Sequence, residues 1–206
     1  QKYGAEAVLK VVRRDGETEY KGQFIAHVDS GIDSLSDLQG KRFAFTDPSS
    51  TSGYILPKAI LARNHITPAE EVLAGKHDNV VTMIYQKQVD AGATYYSPPD
   101  KSTGEILDAR ARVVRQFPDV YNKVKIIGFT QSIPNDPIIF RKDFPADMKK
   151  KIIDALLAFQ TTPEGKKALF EIYSVEGLVP AQDSDYDVLR AILEEQKVEV
   201  EKALKK

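Results

Sequence analysis

The 206-residue chain contains no cysteine, which excludes disulfides and cysteine-ligated metals and leaves oxidising and reducing compartments equally open. No apolar run approaches the roughly 20 residues that a helix needs to span a bilayer. Neither sign of charge is in excess: 29 Lys and Arg stand against 30 Asp and Glu, so no general attraction to nucleic acid or to an anionic membrane is built in. Low-complexity tracts and internal repeats are missing, as are a G-x-S-x-G elbow, an H-E-x-x-H pair and a Walker loop. The first residues show no charged n-region, apolar h-region or lipobox cysteine, so any export signal is expected upstream of Gln1. What is present is a 42% hydrophobic composition, sufficient for one substantial core or two small ones.

Apolar alternation and turn residues predict a helix near Ala5 to Arg13, a turn at Asp15-Gly16 and a strand from Gln23 to Val28. Short strands follow at 42–46, 72–74, 89–94 and 124–129, alternating with helical stretches at 53–64, 78–86 and 105–117. Such alternation argues for βαβ units around a largely parallel sheet. After a Pro-rich turn, a strand at 138–141 leads to helical runs at 146–160, 164–173 and 186–205, with Pro145, Pro163 and Asp183 where helix starts belong. The basic end, 202–206, reads as a solvated helix terminus.

The chemistry concentrates in Asp47-Pro48-Ser49-Ser50-Thr51-Ser52-Gly53-Tyr54, between the strand-like Phe43-Ala44-Phe45 and the helix-like run from Ile55. A helix start offers unpaired N–H groups and the positive end of the dipole, so with hydroxyl donors added it can hold a phosphate-like dianion without arginine or metal. One Ser or Thr in this place reads as a cap. A run of three before Gly53, where a ligand can approach bare backbone, favours binding by Ser50, Thr51 and Ser52.

Five blocks carry a resemblance. Tyr20-Lys21-Gly22-Gln23, the Ser-Thr-Ser-Gly block above, Gly75-Lys76-His77-Asp78, Val89-Asp90-Ala91-Gly92-Ala93-Thr94 and Ile133-Pro134-Asn135-Asp136-Pro137 together resemble the phosphate/phosphite/phosphonate-binding proteins of ABC importers, the PhnD-type receptors. The order and spacing fit nearly the whole chain. The resemblance implies an α/β fold of the type II periplasmic-binding-protein kind: residues 1–29 and 131–206 form part of lobe 1, residues 30–130 form lobe 2, and two hinge strands join them. Members of that family have roughly a further half-lobe upstream, so lobe 1 is expected to be incomplete, and the truncated lobe could self-associate through unpaired strand edges.

The resemblance also implies roles. Tyr20 matches a tyrosine whose hydroxyl reaches the ligand, although an aromatic beside a strand otherwise reads as packing. His77 opens a helix, where a protonated imidazole would give a charge-assisted hydrogen bond to an anion; in isolation it reads as a surface histidine. His27 and His65 lack such placement and read as structural. Asp136, an acceptor only, makes sense beside an anion if the ligand brings a proton or an amine, and it would then repel sulfate; the competing reading is turn chemistry in Asn135-Asp136-Pro137. Tyr95 and Tyr96 lie at a strand's carboxyl end and would shape the substituent pocket, unless they pack against the hinge. Aminophosphonate receptors carry an acid near there, whereas this chain has none between Tyr95 and Asp100, which disfavours an aminoethyl group.

The expectation is a solute receptor that binds phosphite, phosphate or a small alkylphosphonate in an interlobe cleft and delivers it to an ABC permease of the inner membrane. It would need no cofactor and contact no nucleic acid. Its place would be periplasmic or extracytoplasmic, free or lipid-anchored through an upstream segment. The alternatives are a ligand-sensing receptor ectodomain and, below that, a pyrimidine-precursor-type enzyme on the same fold, for which His77-Asp78 would serve as acid/base equipment.

Overall fold

A computed structural model of the chain describes residues 4–195. The strands, in chain order, are β1 (Ala5–Val12), β2 (Glu19–His27), β3 (Arg42–Phe45), β4 (Glu70–Leu73), β5 (Ala91–Tyr96), β6 (Val124–Pro134), β7 (Pro137–Arg141) and β8 (Gly177–Pro180). The helices are α1 (Leu56–Arg63), α2 (His77–Tyr85), α3 (Val120–Lys123), α4 (Ala146–Phe159), α5 (Pro163–Tyr173) and α6 (Asp187–Glu195). They fall into two compact units, Gln1–Glu19 with Pro134–Ala191 and Tyr20–Ile133 with Ile192–Lys206.

The first unit is a three-stranded antiparallel sheet in the order β7-β1-β8. The helix expected near Ala5 is the strand β1. Its Ala7, Leu9 and Val11 are buried alternately, a period of two, and its valines suit a pleated surface better than a helix turn. Leu9 and Val11 pack with Val175 and Leu178, against Ile153, Leu156 and Leu157 of α4. Thr162 caps α5 by accepting from the Gly165 N–H, with Pro163 in the first turn. Asn135 ties the β6–β7 turn down: it is 1% exposed, its amide donates to the carbonyls of Val11 and Glu17, and its own carbonyl accepts from the Tyr186 hydroxyl.

The second unit carries a five-stranded sheet in the order β4-β3-β5-β2-β6, with β3 parallel to both β4 and β5, and β2 antiparallel to β5. Consecutive residues alternate between two cores, as strand geometry requires. Phe24, Ala26, Phe43, Phe45, Ala91 and Ala93 face one, closed by Leu61 of α1. Ile25 and Ala44 face the other, closed by Val80, Val81 and Ile84 of α2 and by Ala109 and Val113. Each of the buried Phe, Ile, Leu and Val side chains contributes roughly 1.5–3 kcal/mol.

Two further expectations differ from this layout, and a third extends beyond the described residues. The unit boundaries lie before Tyr20 and after Ile133, not after Asp29 and before Gln131, because residues 20–27 are hydrogen-bonded to β5 in the second sheet. The stretch 105–117 forms only a five-residue 3-10 turn, Ala109–Val113, which Asp108 caps through the Arg110 N–H. The run at 186–205 is helical as α6 to Glu195, and its remainder lies outside the described residues.

The turn at 109–113 depends on a buried ion pair. Asp108 is 1% exposed and takes Arg110 Nη2 at 2.7 Å and Nε at 3.0 Å, while Arg110 Nη1 reaches the Val124 carbonyl. Removing one partner leaves an uncompensated buried charge. Asp108→Ala is therefore expected to destabilise the protein by about 3–5 kcal/mol in urea unfolding; a loss below about 1 kcal/mol, the range of exposed pairs, would show that the pair is not isolated from solvent.

Candidate anion site

Parallel strands direct their carboxyl ends to one edge, and the segments leaving β3 and β5 there go to opposite faces. The segment after β3 enters α1 on the Phe43 side, and the segment after β5 reaches the 3-10 turn on the Ala44 side. A crevice opens where outgoing connections diverge in this way. The π-helical turn Thr51–Ile55 begins at this edge after β3, His77 begins α2 after β4, and Tyr95 and Tyr96 end β5. Because β2 runs antiparallel to β5, with Lys21 opposite Tyr96, Tyr20 lies at the same edge.

The hydroxyl run is placed by local bonds. Asp47 accepts from the Ser49 N–H and hydroxyl, the Ser50 N–H bonds the Asp47 carbonyl, and Ser50 Oγ accepts from the Gly53 N–H at 3.1 Å. Ile55 N–H then reaches the Ser50 carbonyl five residues back, the π spacing that is rare and frequent at functional sites. Ser50 is thus a cap, as one reading had it. Among the described residues the N–H and hydroxyl groups of Thr51 and Ser52 have no hydrogen-bond partner in the protein. Gly53 is required by its neighbour, since a Cβ would stand 2.1 Å from Thr46 Oγ1. Ser52 is also seated on β2: a Cβ on Gly22 would meet the Ser52 carbonyl at 2.7 Å.

His77 accepts the Tyr95 N–H at Nδ1, at 3.2 Å, and its ring meets the Tyr95 ring edge-on at 4.9 Å. The bond fixes the neutral tautomer with the proton on Nε2. Burial, with the nearby Arg112 charge, pushes its pKa down to about 4, against a weaker opposing pull from Asp78. The protonated imidazole considered from sequence is therefore replaced by a neutral N–H donor at a helix start.

Arg112, which the sequence did not single out, stacks on the Tyr95 ring at 5.4 Å and donates from Nε to its hydroxyl at 3.0 Å. No spacing signal links it to Tyr95 across the intervening loop. Tyr96 turns elsewhere and meets Phe129 at 4.7 Å, so the two tyrosines do not form one wall. Asp136 belongs to the first unit, where its carboxylate is 3.0 Å from Arg13 Nη2. His27 is buried and accepts from the Asp29 N–H, and His65 adopts a positive φ of 56° just past α1; both have structural places.

The imidazole geometry predicts a pH signature. Folded His77 holds its proton only below about 4, against 6.5 for the ordinary group. Between these values the unfolded chain binds more protons, so the penalty is absent above pH 6.5, grows as the pH falls, and levels off below 4. His77→Phe should flatten the stability slope in that window, and proton NMR of the wild type should place the His77 midpoint near 4; a midpoint at 6 or above would reject the neutral donor.

The sequence profile described as ABC transporter, phosphonate, periplasmic substrate-binding protein matches residues 1–186. The phosphonates-binding periplasmic protein of Escherichia coli K12 is 32% identical over 172 residues, covering 80% of this chain and 47% of the relative. The phosphate-import protein PhnD of Mycolicibacterium smegmatis is 26% identical over 193 residues, covering 86% of this chain and 58% of the relative. The chain thus spans about half the length of the curated relatives it matches. A binding-protein component of an ABC phosphonate transporter from Pseudomonas aeruginosa superposes with a TM-score of 0.70 at 24% identity, covering 92% of this chain and 61% of that one, which shows the shared α/β fold. With its doubly wound sheet and donor-lined edge, the chain belongs to the family of periplasmic phosphonate substrate-binding proteins of ABC transporters.

Proposed function

We propose that the second unit anchors a small phosphorus oxyanion, namely phosphite, phosphate or a small alkylphosphonate, and that the protein is the extracytoplasmic receptor handing this ligand to an ABC permease. The observation that carries the reading is the pair Thr51 and Ser52, whose N–H and hydroxyl groups lack protein partners among the described residues at the carboxyl edge of β3. Four donors gathered at that edge suit a tetrahedral anion. His77 Nε2–H adds a fifth from the α2 start, and Tyr20, Tyr95 and Tyr96 border the same edge. Asp136, met by Arg13, is a separate candidate for contact with a ligand proton. The named relatives include both a phosphonates-binding and a phosphate-import protein, which supports the ligand class and leaves its substituent to measurement.

Isothermal titration of the full-length native protein against phosphite, phosphate, methylphosphonate, 2-aminoethylphosphonate and sulfate tests this. Tight binding of a phosphorus oxyanion with sulfate rejected is expected, and equal binding of sulfate or silence toward all five overturns it. Thr51→Ala should weaken binding by about 1–3 kcal/mol with unliganded stability nearly unchanged. Ser50→Ala should instead lose about 1 kcal/mol of stability, the worth of its cap.

A further inference from the structure

Arg112 is a cation fixed at this edge, and it has no part in the anchor. It stands on the 3-10 turn Ala109–Val113, which the buried Asp108–Arg110 pair holds in place. Although exposed, it is held twice by one tyrosine: Nε donates to the Tyr95 hydroxyl at 3.0 Å, and the guanidinium lies over the Tyr95 ring at 5.4 Å.

Tyr95 links that cation to the anchor. Its N–H is the bond that fixes the His77 tautomer, and its ring meets the imidazole edge-on. The two ring contacts together keep the guanidinium within roughly 10 Å of the imidazole, about one Debye length in 0.1 M salt. The charge is felt there, since it lowers the His77 pKa second only to burial and ahead of the opposing pull of Asp78. Asp47, the acid of the anchor loop, is engaged by the Ser49 N–H and hydroxyl, and Asp108 by Arg110. A guanidinium does not lose its proton in the working range, so its field is permanent.

Resting on the proposed function and deepening it, we infer that Arg112 sets the charge of the substituent this site accepts. The neutral donors gather the oxygens, and the fourth bond on phosphorus carries hydrogen, hydroxyl or an alkyl group. An ammonium on that substituent needs no contact with Arg112 to be repelled. Like charges about 8–10 Å apart at a partly buried edge cost about tenfold in an equilibrium constant. The ligand class is then an oxyanion of phosphorus with a neutral or negative substituent. Aminoalkylphosphonates are turned away by repulsion, not only by the lack of an acid between Tyr95 and Asp100.

Ethylphosphonate and aminomethylphosphonate, alike in size and unlike in charge, test this by titration of the full-length native protein and of Arg112→Gln, Arg112→Glu and Arg112→Lys. The wild type is expected to favour ethylphosphonate by about tenfold. That ratio should contract by about threefold or more in Arg112→Gln, contract further in Arg112→Glu, and hold within about twofold in Arg112→Lys, which keeps the charge and gives up the planar fork. Proton NMR without ligand gives an independent reading: the His77 midpoint should rise from about 4 in Arg112→Gln and hold in Arg112→Lys. A wild type that binds ethylphosphonate no better than aminomethylphosphonate overturns the inference. So does a ratio or a His77 midpoint that Arg112→Gln leaves unchanged. A preference lost in Arg112→Lys as fully as in Arg112→Gln also overturns it and leaves Arg112 the placing of Tyr95. If the wild type binds no phosphorus oxyanion, the functional reading falls and the inference with it; tight binding of phosphate or phosphite with an unaltered ratio removes the inference alone.

Discussion

The handedness of the parallel crossover is the constraint from which the site follows. The chain moves from β3 to β4 through α1 and from β4 past β3 to β5 through α2, in opposite directions along the sheet. A right-handed crossover in each direction puts α1 on one face and α2 on the other, and the two cores divide accordingly. Both helical segments must then start at the carboxyl edge. Their unpaired N–H groups and positive dipole ends stand there before any side chain is chosen, so residues 50–52 and 77 decorate an electrostatic site that the topology has already made.

Neutral donors dominate this edge, and that bears on what it can bind. An anion held by N–H and hydroxyl dipoles keeps its net charge, whereas one held on a fixed guanidinium forms an ion pair that salt screens. Arg112 is close enough to depress the His77 pKa, yet its Nε is engaged by the Tyr95 hydroxyl. Burial, with that charge second to it, keeps the imidazole neutral near neutral pH, and the Tyr95 N–H on Nδ1 fixes its donor tautomer. Donors that do not titrate in the working range give a site whose selectivity rests on geometry and on the ligand's own protons.

Much of the second unit was legible because its strands and helices obey local rules. The apolar runs at 42–45 and 91–94 and the hydroxyls before an apolar helix are short-range signals, and the structure has β3, β5 and α1 close to the expected bounds. β1 was misread because Ala, Glu, Leu and Lys are good helix formers, and the pairing that makes 5–12 a strand comes from β7 and β8, distant in sequence. The stretch 105–117 failed for a related reason: a buried Asp108–Arg110 pair over two residues organises a tight turn where periodicity suggested a helix. The boundary at Tyr20 turned on a register with β5 that no local pattern carries.

The candidate site divides along the same line. Ser50, Thr51, Ser52 and His77 were found because they are local to a helix start, where capping chemistry is written in adjacent residues. Structure then separated them: Ser50 spends its acceptor on Gly53, while Thr51 and Ser52 keep theirs open. Gln23, Thr46 and Thr94 were passed over because nothing local distinguishes a buried strand polar from an exposed one, and they meet only once three strands are in register. A threonine and a glutamine with unpartnered buried atoms are poor choices for a core judged by packing alone. Gln23 and Thr94 meet on the face that carries α2 through the register of strands distant in sequence, a juxtaposition that no run of adjacent residues announces.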